Sequence, residues 1–384
     1  GVQGDATGTA TLTVMREEKS DVIDVTVTLV ELDTVDASGG RGCGLTNEGA
    51  AWCWGTNSGG ALGYGMEAET NLFGSGWTPV RVAGGHVFSQ ISLGNSHTCA
   101  LTGDGTAWCW GNNGTGALGV DVPASAAAPV AVSGGLRFSQ ISASYAYTCG
   151  VTIAGAGYCW GNNDAGQLGD GTKTQRFSPV AVAGGLTFTR ISSRFAEQFG
   201  ATTCALTAAG AAYCWGGNFQ GQTGNGGVET EYLTPVPVAG GHTFVDLSAG
   251  GSYSCGVDPA GDAWCWGSYS DDGSTPVLVP GGIQWQSISV LADHSCGVAT
   301  SGAAYCWGDN ATGQLGDGTN TASGIDPVPV SGGLTFQSVS AALGFTCGRT
   351  VAGVVYCWGE GSSGQLGQNS LETQLSPVPI VGQP

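Results

Sequence analysis

Cys99-Ala100-Leu101-Thr102-Gly103-Asp104-Gly105-Thr106-Ala107-Trp108-Cys109-Trp110-Gly111 is one of seven versions of a single pattern in this chain. The others begin at Cys43, Cys149, Cys204, Cys255, Cys296 and Cys347, and the second cysteine always follows the first by ten positions. Six positions after the first cysteine stands a glycine (Gly49, Gly105, Gly155, Gly210, Gly261, Gly302, Gly353), where a three-residue hairpin loop needs a left-handed backbone. With Thr102 and Thr106 flanking the loop, counting outward along both strands sets Cys99 opposite Cys109, within a one-residue bulge. Opposed strand residues have Cα atoms about 4.5–5.5 Å apart, a span that a disulfide covers. The reading is seven hairpins, each closed by its own bond: Cys43–Cys53, Cys99–Cys109, Cys149–Cys159, Cys204–Cys214, Cys255–Cys265, Cys296–Cys306 and Cys347–Cys357.

Free thiols and zinc are the alternatives. Zinc knuckles keep two cysteines within a few residues, whereas no two cysteines here are that close and the four histidines do not accompany the pairs. Disulfides imply an oxidising compartment, so the chain is expected to be extracellular or at a cell surface. Each would close a loop of about 11 residues, for ~3 kcal/mol in the chain-entropy model.

The composition narrows the partners. Ten basic residues against 29 acidic ones give a net charge of −19, which repels phosphate backbones and anionic membranes. Nucleic acid is therefore not an expected partner. No apolar run approaches the 18 or so residues of a membrane span. The first residues also lack a basic-then-apolar leader, so Gly1 is expected to be a mature or trimmed start.

Outward from the hairpin, each unit adds two more strand-like pieces. An aromatic-x-x-aliphatic-Ser stretch precedes it (Phe88 to Ser92, Phe138 to Ser142, Phe188 to Ser192, Phe244 to Ser248, Trp285 to Ser289, Phe336 to Ser340), with Leu32 to Asp36 as a weaker first copy. A glycine loop such as Gly161 to Gly171 follows the hairpin, and then Pro-Val-x-Val, beginning at Pro79, Pro129, Pro179, Pro235, Pro276 and Pro327, with Pro-Val-Pro-Ile from Pro377. Proline lacks an N–H, which suits an edge strand. First cysteines are spaced by 56, 50, 55, 51, 41 and 51 residues, the period of a propeller blade. The short fifth unit has lost most of its glycine loop, and the fourth carries five extra residues within Arg194 to Thr203. Short, local strands without helical periodicity fit radial repetition. The fold expected is all-β, a seven-bladed β-propeller over residues 32–384 with an N-terminal β-strand arm over 1–31.

The composite CxLTxxGxxYCWGxNxxGQLGxGT resembles the repeat of the regulator-of-chromosome-condensation family, in seven in-register copies across about residues 32–384. That resemblance implies a seven-bladed propeller. Nuclear members of the family bind a small GTPase and chromatin and promote nucleotide exchange; others are light sensors or a secreted bacterial inhibitor of β-lactamases. This chain departs from the nuclear pattern in its acidity, its cysteine pair in every unit and its lack of a long insertion, and it is closer to a secreted, disulfide-containing bacterial-like branch. What carries over is architecture rather than activity.

Residues 1–31 are surplus to that count, provided the last Pro-Val piece closes the ring by pairing with the first blade. Two alternating runs, Thr9 to Val14 and Asp24 to Leu29, place Ala10, Leu12 and Val14, and Val25, Val27 and Leu29, on one face each, with Arg16 to Asp21 as a turn or linker. Two strands cannot bury their apolar faces alone. They must dock on the chain's own ring, on an upstream domain or on the blade edge of a second copy, which would grow a filament.

No catalytic constellation is visible, and Gly-x-Ser-x-Gly, Walker and His-Glu-x-x-His patterns are absent; neither enzymatic activity, cofactor nor metal is expected. Of the histidines, His86, His97, His242 and His294, two stand two residues before a cysteine, where Tyr147, Tyr253 and Phe345 occur in other units. They read as a packed ring of structural side chains. Asn162-Asn163-Asp164 and Asp309-Asn310 lack EF-hand spacing and read as turn formers. Trp54, Trp110, Trp160, Trp215, Trp266, Trp307 and Trp358 read as core between blades; Trp52, Trp108 and Trp264 would share their side of the strand. Asn113-Gly-Thr and Asn310-Ala-Thr are glycosylation sequons, expected to be exposed. The function expected is an extracellular structural protein that polymerises head-to-tail through residues 1–31. Its competitor is a monomeric binding module, an adhesin or inhibitor of another extracellular protein or glycan, working through the loops of one propeller face.

Overall fold

The computed structural model describes residues 12–16, 19–23, 30–66, 77–121, 124–196, 200–269, 273–291 and 294–383. Each cysteine pattern is a hairpin with the two cysteines in register, Cys99 opposite Cys109 without a bulge. The third loop glycine takes a left-handed conformation, Gly105 at φ +80°, and its N–H reaches the Thr102 carbonyl at 2.8 Å. Asp104 at the loop tip accepts from the Thr102 hydroxyl and from the Thr106 N–H and hydroxyl. Those bonds, the Thr102 hydroxyl foremost, hold its carboxyl down at about 2. All seven pairs are disulfide-bonded, with Cα atoms 4.0–4.1 Å apart.

Every unit is a four-stranded antiparallel sheet in sequence order. Blade three runs Phe138–Ala143, Tyr147–Thr152, Gly157–Gly161 and Arg176–Ala181. The proline-bearing fourth strand is the outer edge, bordered only by the third. First strands of successive blades neighbour one another, and that of blade seven, Phe336–Ala342, neighbours that of blade one, Thr34–Ser38, so seven sheets form a closed ring. No helix of the described residues is long and apolar enough to cross a membrane.

Ring closure differs from the expectation. The last Pro-Val strand, Gln374–Pro379, pairs with Val355–Gly359 of its own blade and not with blade one. Each blade is thus one unbroken stretch of chain, because the Pro-Val piece always trails its own hairpin. The two ends are joined instead by the Val30 N–H on the Gly382 carbonyl, Arg349 Nε on the Leu32 carbonyl and the Ser340 hydroxyl on Asp36. Val30 and Leu32 pack with Trp54, Phe345, Leu366 and Ile380, so the ring takes in Val30 as well.

The N-terminal strands also differ. β1 (Leu12–Arg16) pairs with β2 (Lys19–Ile23), Leu12 opposite Ile23 and Arg16 opposite Lys19. The charged stretch read as a linker therefore supplies strand residues, Arg16 to β1 and Lys19, Ser20 and Asp21 to β2. Leu12 and Val14 fall on β1; Ala10, Val25, Val27 and Leu29 lie outside the described residues. Among those residues this sheet hydrogen-bonds to none of the blades.

The core lies between blades. Adjacent strand residues face opposite ways, so Cys109 and Trp110 serve different neighbours: Trp110 packs with Cys43, Cys53 and Leu62 of blade one, Cys109 with Trp160 of blade three. The same arrangement recurs at all seven junctions. All seven of these tryptophans are buried. Trp52, Trp108 and Trp264 pack against the same clusters as their neighbours two positions on.

Candidate functional site

The places where blades meet set what this ring can do, and they are built from side chains that recur once per unit. The serine ending each aromatic-x-x-aliphatic-Ser stretch accepts from a main-chain N–H of the following blade: Ser92 from Ala143, Ser142 from Ser193, Ser192 from Ala249, Ser248 from Val290, Ser289 from Ala341 and Ser340 from Ala37. The weak first copy carries Asp36 instead, and its carboxylate accepts from the Leu93 N–H at 2.8 Å. This belt is complete at all seven junctions.

A second belt is built by the glycine loops. In Gly-(Ala/Gln)-(Leu/Thr)-Gly the second residue turns its carbonyl to the next blade, where the Cys-Trp-Gly indole donates to it. Trp110 reaches Ala61, Trp160 Ala117, Trp215 Gln167, Trp266 Gln222, Trp358 Gln314 and Trp54 Gln365, all at 2.9–3.0 Å. At five of these junctions the hydroxyl just before the first cysteine (Thr98, Thr148, Thr203, Ser254, Thr346) shares the carbonyl. The last loop glycine lies flat on the indole. A Cβ on Gly63 would sit 2.6 Å from Trp110 Nε1, and its φ is +74°, so space and backbone both demand glycine.

The junction between blades five and six lacks this second belt. Eight residues separate Gly267 from Pro276, against 18 between Gly308 and Pro327 in blade six, and they contain no Gly-(Ala/Gln)-(Leu/Thr)-Gly sequence. Trp307 is 1% exposed and its Nε1 has no hydrogen-bond partner among the described residues. An unsatisfied buried donor costs about 1–3 kcal/mol. Ser295, which would share the missing carbonyl, pairs with the Tyr253 hydroxyl at 2.6 Å. Tyr269 fills part of the space, packing with Trp307, Trp285 and Val279, and its hydroxyl bonds the Ile325 carbonyl at 3.3 Å. Burial pushes that phenol's pKa up, so it stays a donor.

The residues two positions before the first cysteines join neighbouring blades as well. His97 Nε2 lies 2.8 Å from the Thr148 hydroxyl, and His294 Nε2 2.8 Å from that of Thr346. Both hydroxyls spend their one proton on loop carbonyls, so each imidazole is the Nε2–H tautomer. Burial pushes His97 down to about 3, with the Arg41 charge adding to the push, and lowers His294 to about 4 against the pull of Asp309. Tyr147 donates to the Thr202 carbonyl of blade four, and Phe345 is buried at the closure. Sequence reasoning missed Arg41, the blade-one counterpart, although its place two before Cys43 was the available signal. Fully buried, it donates to the carbonyls of Gly94, Asn95 and His97 in blade two. Burial lowers it to about 10 against the opposing effect of Asp36, leaving it charged at neutral pH. His86 and His242 pack at a tilt against Trp108 and Trp264, ring centroids 4.0 and 4.2 Å apart.

The sequons are not exposed. Asn113 and Asn310 are 2% and 0% accessible, and their amides organise the glycine loops. Asn113 accepts from the Leu118 N–H and donates to the Val120 carbonyl; Asn310 accepts from Leu315 and donates to the carbonyls of Thr319 and Thr321. Asn57, Asn163 and Asn218 do the same, and Tyr269 occupies that position in blade five. The Asn162 amide bonds Asp164, and Asp309 takes the Gln314 amide.

Regulator of chromosome condensation (RCC1) repeat models match residues 48–101, 104–151, 155–193, 301–348 and 352–384, and a second model of the same repeat matches 88–117 and 286–314. The chain is similar to the RCC1 domain-containing mitochondrial protein RUG3 of Arabidopsis thaliana, 27% identical over 353 residues, covering 88% of this chain and 56% of that protein. A 112-residue stretch is 31% identical to the human regulator of chromosome condensation, 29% of this chain and 25% of the human one. The chain thus spans about half of the first relative and a quarter of the second. Among solved structures, human WBSCR16 superposes with a TM-score of 0.76 at 20% identity, over 86% of this chain and 94% of that one. Prp20p of Saccharomyces cerevisiae, studied for its binding to Gsp1p and histones, gives 0.74 at 20% over 92% and 87%. The CRINKLY WD40 ectodomain of the Arabidopsis thaliana receptor kinase ACR4 gives 0.55 at 19% over 90% and 99%. Seven sheets each laid down by one repeat, a buried Cys-Trp-Gly tryptophan at every seam and repeat models matching more than half of the residues have one reading: the chain belongs to the regulator of chromosome condensation (RCC1) repeat family.

Proposed function

We propose that this chain is an extracellular protein-binding scaffold, a rigid propeller that acts by presenting loops rather than by catalysis. The observation that carries the reading is the ring of seven buried disulfides, one in every blade, which persist only where thiols are kept oxidised. The similarity to a receptor-kinase ectodomain supports that compartment. A relative's binding to Gsp1p and histones supports a protein as the partner. The charge of −19 favours a neutral or basic protein surface over phosphate. The test is the intact mass of the protein recovered from the medium, with and without reductant, followed by cross-linking mass spectrometry on the oxidised form. The expected result is a mass about 14 Da below the reduced chain, one hydrogen per cysteine, and cross-links from one propeller face to a second protein. A reduced chain retained inside cells overturns the reading.

A second reading, head-to-tail self-assembly through the N-terminal arm of residues 1–31, is favoured by the two-stranded sheet β1–β2, which no blade among the described residues covers by hydrogen bonding. A truncation for this test stops at residue 23, because Val30 belongs to the ring closure. Long assemblies in the full chain that disappear in the truncated one support the arm. Monomers in both remove it.

A further inference from the structure

We infer that the seam between blades five and six is a docking site for a protein partner, which inserts an uncharged, leucine-bearing turn and gives a main-chain carbonyl to Trp307 Nε1. The inference rests on the protein-binding reading above and names its site. Six sibling junctions define the occupant. In each, a Gly-(Ala/Gln)-(Leu/Thr)-Gly turn offers one carbonyl to the indole, and the third residue of the turn is buried: Leu62, Leu118, Leu168, Thr223, Leu315 and Leu366 are all fully covered. At the seventh the indole donor is present, buried and unpartnered among the described residues, and the chain's own loop has eight residues in place of blade six's 18.

The blade-six flank fits the same occupant. Two residues before the Pro-Val proline, the fourth strand elsewhere meets the preceding blade's loop glycine: a Cβ on Gly116 would lie 3.0 Å from Phe177 Cα. Ile325 is the equivalent residue of blade six, 49% exposed against 41% for Phe177 and 38% for Leu375 at filled seams. The current cover is Tyr269, tied across the seam by a single 3.3 Å bond to the Ile325 carbonyl, near the long limit for an O–H donor. An incoming turn displaces that ring and replaces its bond. The six sibling turns carry no charged residue and are buried at their seams, and a charge buried in their place would lose its hydration without a partner.

The test uses the full oxidised chain labelled with ¹⁵N-tryptophan and, as probe, a cyclised peptide of residues 310–316, the uncharged part of the chain's own blade-six turn. Trp307→Phe assigns the Trp307 indole signal. The expected result is a saturable downfield shift of that signal, with those of Trp54, Trp110, Trp160, Trp215, Trp266 and Trp358 unmoved. Replacing residues 268–275 by the sequence of 309–326 fills the seam from within and should weaken peptide binding at least tenfold. No shift at Trp307 up to the solubility limit of the peptide, or undiminished binding to the grafted chain, overturns the inference. Peptide failure alongside partner cross-links on another face would remove the seam and keep the scaffold; a reduced, intracellular chain would remove the scaffold whatever the peptide does.

Discussion

The junction of blades two and three and that of blades five and six bury the same kinds of residue and are closed differently. At the first, Ser92 takes the Ala143 N–H and the Ala117 carbonyl takes both the Trp160 indole and the Thr148 hydroxyl. At the second, Ser248 takes the Val290 N–H, but the indole of Trp307 has no partner among the described residues. The cysteines, the tryptophan and the aromatic first strand are common to both. The comparison teaches that apolar burial between blades does not depend on the loop, whereas the directional half of the seal does. A ring can tolerate one such seam because the remaining contacts in the closed circle still hold its two sides together.

Substitutions can break or sharpen this comparison. The largest expected effect is Trp160→Ala, which deletes a buried indole and should destabilise by about 3–5 kcal/mol, read as a lowered denaturant midpoint. Trp307→Ala should fall near the lower end of that range, having no hydrogen bond to lose. Next, replacing Cys149 and Cys159 by alanine should cost ~3 kcal/mol through loop entropy. The same change at Cys296 and Cys306 should cost an equal amount, because hairpin closure is local to a blade; a marked inequality would tie the staples to the seams. Smaller is the contrast between Trp160→Phe and Trp307→Phe. The first strands half of a shared carbonyl and the second removes an unpaired donor, so the two should differ by about 1 kcal/mol, with Trp307→Phe the milder.

The smallest effect is on pH dependence. His97 and His294 are held neutral in the fold, at about 3 and about 4 against an ordinary 6.5. Between those values the unfolded chain binds protons that the folded one refuses, so stability falls as pH drops. Their contribution is complete above pH 6.5 and is lost progressively toward pH 4 and then pH 3. Calorimetry from pH 7 to pH 4 should show a falling melting temperature, and His97→Gln with His294→Gln should flatten that slope. An unchanged slope would mean that other groups set it.

What was legible in the sequence was whatever a single unit decides for itself. The glycine six places after each cysteine fixes the hairpin, the hairpin fixes the cysteine register, and the aromatic and Pro-Val pieces supply the outer strands. The bonds between blades were not legible in the same way. Ser92 and Ala143 are 51 positions apart, and nothing local marks that serine as an acceptor for another sheet. Asn113 and Asn310 were misjudged for a related reason: a sequon is a three-residue pattern, while their burial comes from loops folding back onto the amide. At the N-terminus, alternation alone did not locate the turn, and the pairing of Arg16 with Lys19 moved the second strand forward. The missing loop of unit five was plain in the spacing; that it stranded an indole required the six intact junctions as a reference.

Indole hydrogen exchange on the oxidised chain, without any added ligand, tests the central claim most directly. Of the seven Cys-Trp-Gly indole N–H groups, six are bonded to loop carbonyls and one has no partner among the described residues, so the Trp307 signal should exchange at least tenfold faster than those of Trp54, Trp110, Trp160, Trp215, Trp266 and Trp358, about 1.4 kcal/mol of lost protection at 25 °C. A Trp307 N–H as slow as the other six would contradict the account.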